Sequence, residues 1–240
     1  MDVNKNSYTF TFSAILVIVV GALLAFASES LKPMQKENVR IEKMQNILAS
    51  VKIESTADDA NEKFNKFIVE QIVLNAEGNS VESNDVSAFD VDVIKEYRTV
   101  PAEDRNYPLF VFEEGGKQKY IVPLAGKGLW GPIWGYVAFE EDMNTVYGST
   151  FDHKTETPGL GAEINQDEFQ NKFIGKAIFD ENGKFVSIEV KKGGADVKGN
   201  PHAVDGISGG TITSNGVGEM IERTLNIYVP YFKKDLKAAL

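Results

Sequence analysis

The chain has 240 residues, a formal net charge of −10, no cysteine and only two histidines, His153 and His202. A net acidic chain argues against nucleic acid as a partner, because phosphate backbones need clustered Lys and Arg; the charge is read as solubility. The missing cysteines exclude disulfides, thiol catalysis, zinc fingers and protein-ligated iron–sulfur clusters, and two imidazoles are few for a catalytic transition metal.

Tyr8 to Ser28 carries no charge and shows no polar face from Ala14 to Ala27. It is long enough to cross a hydrocarbon core about 30 Å thick, which predicts a transmembrane helix. Lys5 and the Ala25-Phe26-Ala27-Ser28 stretch resemble a signal peptide with its cleavage site. The apolar run, however, exceeds an h-region of about 7–15 residues, so a retained single-pass anchor is expected. Lys32, Lys36, Arg40 and Lys43 outweigh Lys5. Taken alone, that bias leaves the body in the cytoplasm, although a large following domain translocates regardless of such charges.

Leu31 to Val51 is expected to be helical, with Pro33 at an early position and Val39, Met44, Ile47, Leu48 and Val51 recurring. Asp58 to Val73 reads as a second amphipathic stretch, with Phe64, Phe67, Ile68 and Ile72 on one stripe and Ser55, Thr56 and Asp58 as possible caps. Glu77 to Asp90 is polar and reads as a loop. From about Glu96 the periodicity changes. Leu109–Phe112, Lys119–Val122 and Ile133–Phe139 are β-rich runs, the first two split by Glu114-Gly115-Gly116. Lys172–Phe179 and Lys184–Val190 read as the clearest hairpin, turned by Asp180-Glu181-Asn182-Gly183. Asn215–Tyr228 reads as a helix with Val217, Met220, Ile221, Leu225 and Tyr228 on one face. The fold class is therefore α+β: one N-terminal transmembrane helix, then a mainly antiparallel sheet with flanking helices. The expected divisions are an anchor over 1–30, a helical linking region over 31–95 and a body over 96–240.

Ser208 to Thr213 consists of glycine and hydroxyl residues apart from Ile212, directly before the last helix. The first N–H groups of a helix lack internal partners and carry partial positive charge, and glycines let an anion approach. No lysine follows as in a Walker loop, and no G-x-G-x-x-G is present. A helix-capping turn fits the same residues.

Asp205-Gly206-Ile207-Ser208-Gly209-Gly210-Thr211 resembles the flavinylation motif D-x-x-S/T-G-A-T of FMN-binding domains in respiratory sodium pumps, with Gly210 where alanine is usual. Gly126 to Val137 and His153-Lys154-Thr155-Glu156-Thr157-Pro158-Gly159-Leu160-Gly161-Ala162-Glu163-Ile164 resemble the same family. Leu31-Lys32-Pro33-Met34-Gln35, Asn38 and Asn46-Ile47-Leu48-Ala49 resemble its C-type subunits, those of sodium-translocating NADH:quinone reductases. The resemblance implies covalent FMN, joined by a flavin transferase through a phosphoester to Thr211, with Thr213 as the alternative. It implies that Asp205 belongs to the transferase motif, that Ser208, Gly209 and Gly210 shape the loop around the phosphate, and that Thr157, Gly159 and Leu160 lie against the flavin. A backbone N–H of that turn would meet the ring's polar edge. Trp130 would pack near the ring or anchor the sheet, and Lys192 would set a cation near the phosphate or a flavin carbonyl or sit on the surface. His153 and His202 are read as plain hydrogen-bonding residues.

The resemblance further implies an electron-relay subunit of an inner-membrane complex that carries electrons from NADH to quinone and exports sodium. Partner subunits would be of the B, D, E and F types, the body would lie on the outer side, and this chain would not bind NADH. The alternatives are the G-type protein of the related Rnf complex and a membrane-anchored binding module without cofactor.

Overall fold

The computed structural model describes residues 5–81 and 86–238. It comprises two compact units, Met1–Lys43 and Met44–Leu240.

Helix α1 runs Asn6–Ser50. Every side chain from Thr9 to Arg40 is exposed, and none is charged before Glu29. The most apolar stretch of α1 has a mean hydropathy of 2.6 and no buried residue. A helix that is apolar all round and covered by no protein is what a bilayer solvates, so α1 is consistent with a single-pass anchor. The helix expected over Leu31–Val51 continues the apolar span, and Pro33 lies inside α1, which runs through it. The last turns of α1 bury Met44, Ile47, Leu48 and Ser50. Lys52 at φ 63° then closes the helix, with the Ile53 N–H donating to the Leu48 carbonyl.

The expected amphipathic stretch over 58–73 divides in two. Its first half is helix α2, Ala60–Phe67, and its second is strand β1, Ile68–Leu74. The β-branched residues Ile68, Val69, Ile72 and Val73 favour extended backbone, and β1 finds an antiparallel partner in β2, Tyr107–Glu114. Part of the loop expected over 77–90 lies outside the described residues. A short helix α3, Val93–Thr99, precedes β2, and Asp92 caps it by accepting from Ile94 and Lys95. Strands β3 (Lys117–Lys127), β4 (Pro132–Phe139) and β5 (Val146–His153) complete an antiparallel meander in the order β1-β2-β3-β4-β5.

Both faces of this sheet are covered. Leu109, Val111, Val122, Leu124 and Val137 meet Val217, Met220, Ile221, Leu225 and Tyr228 on one side. Phe110 and Phe112 turn to the other side, where Phe64 and Phe67 pack at ring separations of 6.1 and 5.7 Å. Double coverage explains why β2 reads as an apolar run rather than an alternation.

The expected hairpin over 172–190 is reduced to its turn and the rungs next to it. Gly183 adopts φ +72°, the Asp180 N–H donates to the Lys184 carbonyl, Phe179 pairs with Phe185, and the Val186 and Ser187 N–H groups donate to the Ile178 carbonyl, but no regular two-stranded ladder follows among the described residues. The flanks are taken elsewhere. Residues 171–173 form a turn of 3-10 helix, following the short helix α4, Asp167–Gln170. The N–H groups of Ile178 and Phe179 donate to the Asn144 side chain, and Ser187 at φ 60° interrupts the second arm. Strand β6, Glu189–Lys191, pairs in parallel with β7, Ala203–Asp205. Helix α5 then begins at Thr211, four residues before the expected start, and runs to Ala238 through Pro230.

Candidate functional site

Three segments converge at the start of α5: the β3–β4 connection, the chain leaving β5, and the loop leaving β7. They enclose a pocket of about 220 Å³ that includes Leu129, Glu156, Leu160, Gly209 and Thr211.

The β7 loop is held at both ends. The Gly206 N–H donates to the Lys191 carbonyl, the Ile207 N–H to the buried Ser214 hydroxyl at 2.9 Å, and the Gly210 N–H to the Ile207 carbonyl. Gly209 sits at φ +78°, where a side chain would be strained and would also strike Leu160. Gly210 is crowded by Ile207: an added Cβ would lie 3.0 Å from its Cγ2. Glycine in place of the usual alanine therefore suits the β-branched Ile207 beside it.

This geometry leaves Thr211 exposed as the first residue of α5. Its N–H and those of Ile212 and Thr213 have no partner among the described residues. They form the positive end of a 28-residue helix. Around them stands an apolar rim of Leu129, Leu160 and Ile212, exposed by 47, 42 and 58 %; the Trp130 side chain, 67 % exposed, does not line the pocket.

Thr213 is placed differently. It is buried, and its hydroxyl donates to Glu156 Oε2 at 2.5 Å. Glu156, only 5 % exposed, accepts at Oε1 from the N–H groups of Trp130 (2.8 Å) and Gly131 (3.3 Å). Burial alone would raise its carboxyl. The Thr213 hydroxyl and the N–H groups of Trp130, Gly131 and Leu129 outweigh burial and hold it below the usual carboxylate range. His153 Nδ1 accepts from the Glu156 N–H at 3.3 Å, and His202 Nδ1 contacts the Ala177 carbonyl at 2.7 Å. Both histidines thus make local hydrogen bonds.

The 157–161 turn packs against the glycines of the β7 loop. Gly159 adopts φ +74°, its N–H donates to Glu163 Oε1 at 2.8 Å, and the Leu160 N–H donates to the Thr157 carbonyl. Thr157 and Gly161 keep N–H groups without a partner among the described residues. Thr157 and Leu160 are thus brought to the Thr211 end of α5 together with Gly209 and Gly210, whereas Gly159 belongs to the same turn without lining the pocket, and Trp130 is tied to the pocket wall through its backbone N–H on Glu156.

Three residues fall outside this arrangement. Ser208 is exposed and packs its backbone against Gly193. Asp205 lies at the far end of the loop, where Oδ1 accepts from Gly194 (2.7 Å) and Ala195 (3.2 Å) and Oδ2 lies 3.7 Å from Lys172 Nζ. Lys192 is exposed and does not line the pocket. The chief residues that sequence reasoning missed are Glu156 and Lys172. Glu156 stood inside a recognised stretch, but nothing in the pattern announces that its carboxylate is buried. Among the described residues no acidic or imidazole cluster could hold a metal ion.

The FMN-binding domain family matches residues 128–226, a span that contains all three converging segments. Fold and site together define a flavin-binding body, of the FMN-binding-domain class, that follows one long apolar helix; the match supports FMN as the cofactor. Over 96 % of its length the chain is 33 % identical to the C-type subunit of the Na(+)-translocating NADH-quinone reductase of Haemophilus ducreyi, covering 95 % of that protein. The corresponding protein of Vibrio vulnificus is 34 % identical over 84 % of each chain. The crystal structure of the C-type protein from Parabacteroides distasonis superposes with a TM-score of 0.75 at 45 % identity, over 84 % of this chain and 96 % of that one. NqrC from Shewanella oneidensis gives 0.67 at 27 % identity, over 81 % and 98 %. The chain belongs to the NqrC family, the C-type subunits of the Na(+)-translocating NADH-quinone reductases.

Proposed function

We propose that this chain is the C-type, electron-relay member of a membrane-bound, sodium-translocating NADH:quinone reductase and that it carries FMN on Thr211 through a phosphoester. The observation that carries the reading is the contrast between two threonines on one helical turn. Thr211 is exposed and its hydroxyl makes no hydrogen bond among the described residues, whereas Thr213 is 1 % exposed with its hydroxyl bound to Glu156.

The residues fit the group. A phosphodiester carries about one negative charge, against nearly two for a monoester. The unpartnered N–H groups of Thr211, Ile212 and Thr213 at the helix start suit that charge without an arginine clamp. Leu129, Leu160 and Ile212 offer apolar surface to an aromatic ring, and the N–H groups of Thr157 and Gly161, without a partner among the described residues, are donors for its polar edge. The pocket of about 220 Å³ is smaller than the roughly 300–1,000 Å³ of sites that retain a ligand by affinity. A covalent tether replaces that affinity and leaves the ring edge open to a partner. FMN supplies the redox chemistry when bound, and the protein supplies position and electrostatics.

Electrons would reach this chain from one neighbouring subunit and leave to another, among the B, D, E and F types, with NADH oxidised elsewhere in the complex. With one apolar helix and no charge within its apolar stretch, the sodium path belongs to partner subunits. The body would lie on the outer side of the inner membrane, and a flavin transferase would load Thr211, with Asp205 in its recognition motif.

The test is in-gel flavin fluorescence after denaturation, on protein made together with a flavin transferase. Wild type and Thr213→Val are expected to fluoresce and Thr211→Val to be dark. Fluorescence that survives in Thr211→Val, or that disappears in Thr213→Val while that protein stays folded, overturns the assignment.

A further inference from the structure

Glu156 is a buried anion with no cation. No lysine, arginine or histidine forms an ion pair with it among the described residues, and its partners are a hydroxyl and backbone N–H groups. Room is made for it by glycines. A Cβ added at Gly128 would lie 2.6 Å from Oε1, and one added at Gly161 would lie 2.6 Å from Oε2 and would also strike the Thr213 hydroxyl. Burying a charge without a counter-charge is costly. Shape and hydrogen bonding do not require it here. A glutamine would offer its carbonyl oxygen to the N–H groups of Trp130 and Gly131 and its NH₂ to the Thr213 oxygen, since a hydroxyl can accept as well as donate. What the glutamine would lack is the charge.

That charge borders the same pocket as Leu160 and Thr211. We infer that Glu156 is a positioning and electrostatic residue for the flavin: its carboxylate ties the β3–β4 connection and the chain leaving β5 to the first turn of α5 and, as a fixed negative charge at the pocket, lowers the reduction potential of a ring held there. The inference rests on the proposed attachment at Thr211. An electron added to the pocket brings negative charge next to a carboxylate that solvent barely reaches, so repulsion is weakly screened. The α5 terminus offsets part of this field. The Thr213 hydroxyl and the backbone N–H groups fix the carboxylate's position without neutralising it. The effect is to bias the bound group toward giving its electron onward.

The coupling is reciprocal: if the carboxylate opposes reduction, reduction must oppose ionisation of the carboxylate by the same free energy. The experiment therefore has two arms on the full chain loaded by its transferase, with loading verified by in-gel fluorescence. In the first, the flavin midpoint potential is measured in wild type and Glu156→Gln, and an upward shift is expected in the variant. In the second, the Glu156 carboxyl of wild type is titrated by carbon NMR in the oxidised and reduced protein, and a higher pKa is expected after reduction. A loaded Glu156→Gln protein with an unchanged or lowered potential overturns the inference and leaves the Thr211 assignment standing. So does a carboxyl that titrates identically in both redox states. Should Glu156→Gln fail to fold or load, the wild-type titration decides alone. Wild type without flavin on Thr211 removes both readings.

Discussion

Thr213→Val removes a hydroxyl and keeps the side-chain shape, and it separates a buried structural threonine from a modified one. The lost bond is a 2.5 Å donation to a carboxylate, at a residue 1 % exposed, where water cannot replace it. Hydrogen bonds to charged groups contribute about 1.5–3 kcal/mol. For a body of this size that corresponds to a fall in Tm of about 3–12 °C. The Glu156 carboxyl sits below its reference value of 4.5 in the folded protein, so its contribution is present above the unfolded pKa and is lost as pH falls through the folded one. The gap between wild type and Thr213→Val is therefore widest near neutrality and narrows in acid. Thermal unfolding of the detergent-solubilised full chain followed by tryptophan fluorescence is suited to this, because the two tryptophans are Trp130, in the β3–β4 connection, and Trp134, in β4. A Thr213→Val protein that melts within about 1 °C of wild type at neutral pH, or a gap that widens in acid, refutes the reasoning.

Gly161→Ala places a methyl against Glu156 and Thr213; overpacking costs about 1–3 kcal/mol, and differential scanning calorimetry should register a loss in that range, with flavin loading reduced. Burial, with Tyr107 beside it, pushes the Tyr228 hydroxyl well above its ordinary range, so stability from that group is complete below about pH 10 and declines as pH rises beyond it. Tyr228→Phe leaves the Pro108 carbonyl without the donor that now sits 2.8 Å away; it should cost about 1–2 kcal/mol in urea unfolding at neutral pH and flatten the alkaline decline. Asp205→Asn keeps an acceptor for Gly194 and Ala195, so a stability change below about 1 kcal/mol together with lost flavin loading assigns the carboxylate to the transferase, whereas full loading removes that role.

The apolar helix, the central strands and the hydroxyl-rich loop were legible because each rests on local pattern: an uncharged run, β-branched clusters, glycines before a helix. The membership of the C-type family was legible from the quoted motifs in the same way. Features that depend on distant partners were not. Ile68 to Val73 reads as the tail of an amphipathic stretch until β2 supplies its pairing. The 172–190 hairpin looked secure because its turn chemistry is correct, but Asn144 and β7 claim its arms from afar. The sequence pattern starts α5 only at Asn215 because Thr211 to Ser214 have modest helix propensity, and their place in the helix is fixed by the Ser214 bond to Ile207 and the Thr213 bond to Glu156. The same long-range contact, spanning 57 residues, hid Glu156. Lys192 shows the opposite case, a cation next to glycines in sequence that the β6–β7 pairing leaves outside the pocket.

The central claim is one covalent bond on Thr211. Peptide mass spectrometry of the chain purified from cells that express its flavin transferase tests it most directly. The account predicts that the peptide spanning Asp205 to Arg223 carries the mass of FMN joined through its phosphate, with fragmentation placing it on Thr211. The same peptide found unmodified, or bearing the flavin on Thr213, contradicts it.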